Sequence, residues 1–294
     1  MQRTVSHIFA IANQKGGVGK TTTSVNLAAS LARMNKKVLL VDLDPQGNAT
    51  MGSGVEKNDL EASVYDLLVQ QTPLQEITVK SSEGGFDLLP ANGDLTAAEV
   101  ELLDKEGRDH RLRDSLSQAG ITYNYILIDC PPSLNMLTIN ALVAADGVLI
   151  PMQCEYYALE GLSALSQTVQ AVSGSLNSSL KIEGILRTMY DPRNKLSQEV
   201  SDQLIDHFGE TVYRTIIPRN VRLAEAPSFG LPVIVYDKTS RGALAYIALA
   251  GEILRRHSVG CVDANSDNNP EINIEAGDNQ QDNETDHGSG VGNS

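Results

Sequence analysis

His7-Ile8-Phe9-Ala10-Ile11-Ala12-Asn13-Gln14-Lys15-Gly16-Gly17-Val18-Gly19-Lys20-Thr21-Thr22-Thr23 joins an apolar, β-branched run to a glycine-rich turn, and the turn runs into a helical pattern over Thr21–Arg33. Strand, loop and helix in that order are what a phosphate-binding loop requires. The glycines let backbone N–H groups turn inward around phosphate oxygens, and the helix N-terminus adds a favourable partial charge. Lys20 can neutralise those oxygens, and the Thr21 hydroxyl can ligate Mg²⁺. The candidate nucleotide-binding set is Lys15, Gly16, Gly17, Val18, Gly19, Lys20, Thr21 and Thr22, with ATP and Mg²⁺ as the implied cofactors. The alternative is a glycine turn that binds nothing. The Gly-Lys-Thr-Thr ending in this context argues against it.

Outward from the loop, strand and helix signals alternate. Apolar runs at His7–Asn13, Val38–Asp42, Phe86–Leu89, Tyr125–Asp129, Gly147–Met152, Ile182–Leu186 and Val212–Ile217 read as strands. Several are almost continuously apolar, as parallel strands covered on both faces should be. Helical patterns fall at Thr21–Arg33, Asp94–Leu103, Asp109–Gln118, Asn135–Ala144, Leu159–Val172, Ser197–Phe208 and Arg241–Arg256. The alternation predicts one doubly wound α/β domain over 1–256, a mostly parallel sheet of the P-loop NTPase type with helices on both faces. Ligands then sit at the carboxyl ends of the strands.

Composition narrows the partners. The 294 residues are 41% hydrophobic, and the three cysteines (Cys130, Cys154, Cys261) show neither metal-ligand spacing nor a disulfide framework. No apolar run approaches the about 20 residues of a membrane span, and no secretory pattern precedes the first strand. The expectation is a cytoplasmic protein. The net charge of −14 is uneven: eight acids and no Lys or Arg fall in residues 257–294, leaving 29 acids against 23 bases before them. The global charge therefore does not exclude a local basic surface for DNA. Residues 257–294, rich in Asn, Asp, Gly and Ser, read as an acidic, disordered tail. It is either inert or competes with DNA for a basic surface.

Two further segments supply carboxylates. In Val41-Asp42-Leu43-Asp44-Pro45-Gln46-Gly47-Asn48 the two acids share one side of an extended chain, and Asp44-Pro45 marks the strand end. An acid there can orient water for in-line attack on a γ-phosphate, a role assigned to Asp44. Asp42 either assists the Mg²⁺ shell or is structural. Tyr125-Ile126-Leu127-Ile128-Asp129 is a Walker B arrangement, its Asp129 holding Mg²⁺ directly or through water, and Pro131-Pro132 stiffens the turn beyond it. Cys130 reads as packing.

The usual Gly-x-x-x-x-Gly-Lys-Thr spacing would place its first glycine at Gln14; instead Lys15 opens the loop. This resembles the deviant Walker A motif of the ParA/MinD family of ATPases. The resemblance implies that Lys15 reaches across an ATP-sandwiched homodimer to the partner's phosphates, and that Asp44 positions the attacking water. Gly184–Arg193 and Ile217–Ser228 closely resemble the chromosomal ParA (Soj) partitioning ATPases, as do Asn13–Thr23, Asp42–Thr50, Leu89–Asn92 and Ser240–Tyr246. The likeness covers about residues 7–256. It implies a nucleoid-associated ATPase whose ATP-bound dimer binds double-stranded DNA without sequence preference, and whose slow hydrolysis a ParB-type centromere-binding protein stimulates. Arg193 and Arg222 match the family's DNA-contacting arginines, and Arg219 would widen the same patch. Taken singly, each is equally a solvated surface charge. Pro218 and Asn220 match the loop that holds the adenine.

Two other classes stand beside this one. A MinD-like membrane-associated positioning ATPase would need a C-terminal amphipathic helix rich in lysine, and the acidic end does not resemble one. An electron-transfer reductase would need paired cysteines around a cluster, which Cys130 and Cys154 do not supply.

Overall fold

The computed structural model describes residues 6–118 and 123–259. Seven strands form one sheet: β1 (His7–Ile11), β2 (Val38–Asp42), β3 (Val79–Ser81), β4 (Phe86–Leu89), β5 (Tyr125–Asp129), β6 (Gly147–Gln153) and β7 (Lys181–Thr188). Their order across the sheet is β3-β4-β2-β5-β1-β6-β7, and every pairing is parallel except β3 against β4. The helices are α1 (Lys20–Arg33), α2 (Asn48–Gly52), α3 (Leu74–Ile77), α4 (Leu95–Glu101), α5 (Arg111–Gln118), α6 (Met136–Ala144), α7 (Ala158–Ser175), α8 (Lys195–Phe208), α9 (Val221–Glu225), α10 (Val233–Tyr236) and α11 (Arg241–Val259).

β2 and β5 are buried along their whole length, and β1 from Phe9 onward, because both faces are covered. Alternate residues feed two separate cores. Phe9, Ile11, Leu40 and Leu127 pack on α1, α10 and α11, while Ala10, Val41, Ile128 and Val148 pack on α4 to α8. That period of two is the reason apolar runs, rather than alternating ones, mark these strands. After β1 the chain crosses to β2 on one side; after β5 it returns to β6 on the other. β1 therefore ends beside the reversal of strand order, where open α/β sheets bind ligands.

Two expectations need correction. Val212–Ile217 does not form a strand; it touches β7 through an isolated bridge from Val212 to Ile185. Tyr213 N and Ile217 N do donate to β7 carbonyls, at 2.9 Å each. Between them, however, the N–H groups of Arg214 and Thr215 donate to the two oxygens of Glu252 on α11, each at 2.9 Å. A side-chain carboxylate thus takes the place of a ladder partner. The seventh strand is instead β3, whose three residues are too few to show a periodicity, so Tyr125–Asp129 is the fifth strand and not the fourth.

α11 continues past the expected boundary at Arg256 through Val259. His257 packs its ring 4.1 Å from that of His7 and bonds Glu183 and Tyr125, each at 3.0 Å. Residues 260–294, with most of the expected tail and Cys261, lie outside the described residues. No helix among the described residues is long and apolar enough to cross a membrane.

Candidate nucleotide site

The glycine loop leaves β1 and enters α1 through Gly19, a left-handed N-cap with φ of 88°, and Gly17 is left-handed as well, at 71°. Both conformations favour glycine for want of a Cβ. The first N–H groups of α1 have no side-chain cap, so this helix end is left to an anion. A cleft of about 440 Å³ opens there. It is lined by Gly16, Gly17, Gly19, Lys20, Thr21 and Thr22, with Asp44 and Pro132 on one side and Pro218, Arg219 and Asn220 on another.

Two residues of the loop motif do not line that cleft. The Val18 side chain is buried in the protein, and Lys15 points its ammonium at the Glu155 carboxylate beyond β6, both side chains being about half exposed. Lys20 is buried, and its Nζ donates to the Lys15 carbonyl at 3.2 Å. Burial lowers the Lys20 pKa below its ordinary value, against the opposing pull of Asp129 and Asp44.

Asp129 ends β5 fully buried. Thr21 Oγ1 donates to one of its oxygens and Ser24 Oγ to the other, both at 2.7 Å. Burial raises its pKa, although those two hydroxyls favour the carboxylate. Asp42, its neighbour across β2, is raised by burial and by the charge of Asp129. Its oxygens accept from Asp44 N at 3.1 Å and from Thr50 N and Oγ1 at 2.8 Å each. Asp42 therefore pins the start of α2 to the strand, and this engagement supports the structural of its two readings. Asp44 lines the cleft, with one oxygen accepting from Gln46 N at 2.9 Å.

The donor set suits a hard cation held partly by phosphate. Among the described residues no group of three or more His, Cys, Asp or Glu side chains could hold a metal by itself. Thr21 and Asp129 offer two oxygens, and Mg²⁺ ordinarily completes its octahedron with water and nucleotide oxygens. Cys130 is buried with its thiol pushed well above the ordinary range by that burial.

The three arginines separate. Arg193 is paired through two nitrogens with its own neighbour Asp191, at 2.9 and 2.8 Å. Arg222 on α9 meets Glu225 at 2.7 Å and Asp237 at 3.4 Å. Arg219 lines the nucleotide cleft between Pro218 and Asn220, and its charge helps Arg193 lower the Asp191 pKa.

Sequence reasoning missed Ser24, Glu155, Thr188 and Tyr246. Ser24 follows Thr21 by three positions, the same helical face, so it was within reach of pattern. The others come from distant segments: Thr188 and Tyr246 line the cleft, and Glu155 meets the loop across 140 residues.

These features define a P-loop protein with a second lysine at the head of its loop. A family model described as an AAA domain matches residues 6–182. The chain is 55% identical over 246 residues to the sporulation initiation inhibitor protein Soj of Bacillus subtilis, covering 84% of this chain and 97% of that one. It is 51% identical over 253 residues to the chromosome partitioning protein ParA of Myxococcus xanthus, covering 86% and 89%. Among solved structures, cobyrinic acid a,c-diamide synthase from Mycobacterium smegmatis, with a bound ATP analogue and magnesium, superposes with a TM-score of 0.76 at 37% identity, covering 87% of this chain and 97% of that one. The chain belongs to the ParA/Soj family of chromosome-partitioning ATPases.

Proposed function

We propose that this chain is a DNA-partitioning ATPase that closes as a homodimer around two ATP molecules, and that the closed dimer binds double-stranded DNA without sequence preference. The observation that carries the reading is the division of labour between two lysines. Lys20 lies in the cleft with Thr21, Asp44 and close to Asp129, whereas Lys15 stands outside it on Glu155. A cation held away from its own phosphate site is available to the phosphates of a second subunit.

Within one subunit, the N–H groups of Gly16 to Thr22 bind the phosphates and Lys20 offsets their charge. Thr21 and Asp129 would hold Mg²⁺, which when bound neutralises the β- and γ-phosphate oxygens. Asp44 orients the attacking water, and Pro218 and Asn220 flank the base. Arg193 and Arg222 contact DNA phosphates once these displace Asp191, Glu225 and Asp237. Arg219 joins them only in so far as it leaves the cleft. Exposed ion pairs of this kind are weak, so the exchange costs little.

Basal turnover is slow, and a ParB-type partner bound to its centromere accelerates it and releases the DNA. The protein acts in the cytoplasm on the nucleoid. The test is a salt series of DNA binding with ATP, ADP and no nucleotide. ATP-dependent, sequence-indifferent binding with a steep salt slope is expected. Binding to anionic vesicles in place of DNA would turn the assignment to the MinD-like alternative.

A further inference from the structure

We propose that Thr188 is a positioning residue for the phosphate loop: by holding the Val18 carbonyl, its hydroxyl aims the Gly19 N–H at the phosphates. The inference rests on the reading of Gly16 to Thr22 as a phosphate loop.

Thr188 is the last residue of β7, is buried, and lines the same cleft as Gly19. Its Oγ1 donates to Val18 O at 2.7 Å, across 170 residues of sequence. Every peptide bond in the described chain is trans. In a planar trans peptide the C=O and the following N–H point in opposite directions, so fixing the Val18 carbonyl fixes the Gly19 N–H. That peptide needs fixing. It turns about Val18 ψ and Gly19 φ, and Gly19, left-handed at 88° and without a Cβ, leaves the second of those rotations inexpensive. The following peptide is held separately, Gly19 O accepting from Thr23 N at 2.9 Å, so the Thr188 hydroxyl acts on the Val18–Gly19 peptide alone.

Thr188 is itself braced. It pairs with Gln153 of β6, and Arg187 before it and Tyr190 two residues after it are tied to one partner: Ile217 N donates to Arg187 O at 2.9 Å and Tyr190 N donates to Ile217 O at 3.1 Å. Met189 then adopts a left-handed φ of 48°, turning the chain away directly after the contact. A Cβ at Gly19 would sit 3.9 Å from Thr188 Cβ and Cγ2, so methyl and hydroxyl together close one wall of the loop. Strand end and loop form one preorganised unit.

The test uses the full chain with Thr188→Val, which keeps the shape and removes the donor, and Thr188→Ser, which keeps the donor. Binding of ADP and of adenosine is measured by calorimetry, and the Gly19 amide is followed by ¹⁵N–¹H spectra of the nucleotide-free protein. Thr188→Val should weaken ADP about tenfold, or ~1.4 kcal/mol, leave adenosine within about twofold, and shift the Gly19 amide; Thr188→Ser should restore both readouts. Unchanged ADP affinity in Thr188→Val overturns the proposal. So does an equal loss for ADP and adenosine, which assigns Thr188 to the shape of the cleft, and so does a Gly19 amide that does not move. A wild-type chain that binds no ADP would instead remove the phosphate-loop reading, while the amide shift still reports whether Thr188 orients the peptide.

Discussion

Thr21 and Asp129, 108 residues apart in sequence, are joined by a 2.7 Å hydrogen bond from hydroxyl to carboxylate. The end of the phosphate loop and the end of β5 thus meet at the point where a cation would be shared. Asp129→Asn keeps the shape of this contact and removes the charge. Nucleotide affinity measured with and without Mg²⁺ should then lose its metal dependence by about tenfold or more. Undiminished Mg²⁺ dependence would show that Asp129 has no part in holding the ion.

Lys15 and Glu155 form an exposed pair, worth roughly 0.2–1 kcal/mol. Glu155→Gln should therefore leave the melting temperature nearly unchanged. Lys15→Gln should keep ADP binding by the monomer and abolish ATP-dependent self-association in sedimentation experiments. Loss of ADP binding in that variant would place Lys15 in its own cleft after all.

Arg193 and Arg222 should separate DNA binding from dimerisation. Each arginine removed takes away about one phosphate contact per subunit, so Arg222→Ala should lower the magnitude of the log–log salt slope by about 2 in the dimer. Glu225→Gln frees Arg222 from its nearest acid and should strengthen DNA binding at low salt. An Arg222→Ala variant that fails to dimerise with ATP would count against a role confined to DNA.

Glu252 carries a pH prediction. Burial alone would raise its pKa, but the donors Thr215 Oγ1, Arg214 N, Thr215 N and Arg256 outweigh it and hold the carboxyl below its ordinary value. A lowered folded-state pKa stabilises the fold above the unfolded value of about 4.3, and that contribution is lost as the pH falls through the folded value. Glu252→Gln should cost about 1–3 kcal/mol at neutral pH and less at pH of about 3 in urea unfolding. An equal cost at both would mean the charge is irrelevant.

Gly184→Ala tests the packing beneath β7. A Cβ there would lie 2.3 Å from Cε2 of Tyr213, whose ring is fully buried under Arg256. Overpacking of this kind costs about 1–3 kcal/mol or more, seen as a lower melting temperature.

The central strands and main helices were legible because each carries its own periodic signal. Val38–Asp42, Phe86–Leu89 and Tyr125–Asp129 match their strands residue for residue, being short apolar runs ended by an acid, a proline or a turn. β3 was illegible because three residues hold no periodicity. Val212–Ile217 misled because Val212, Tyr213 and Ile217 are indeed buried, while the N–H groups of Arg214 and Thr215 are taken by Glu252, a side chain that local pattern does not reach.

The same division runs through the site. The places of the glycine loop, Lys20, Thr21, Asp44 and Asp129 beside the ends of β1, β2 and β5 were legible in sequence, since each is a residue type at a fixed position after an apolar run. The likeness to the ParA/Soj family was legible for the same reason. Only the tertiary structure decided that Lys15 lies on Glu155, that Asp42 serves Thr50, that Arg219 faces the cleft, and that Thr188 holds Val18. Those contacts join segments brought together by strand order and helix packing, and spacing along a chain carries no information about which distant side chain arrives.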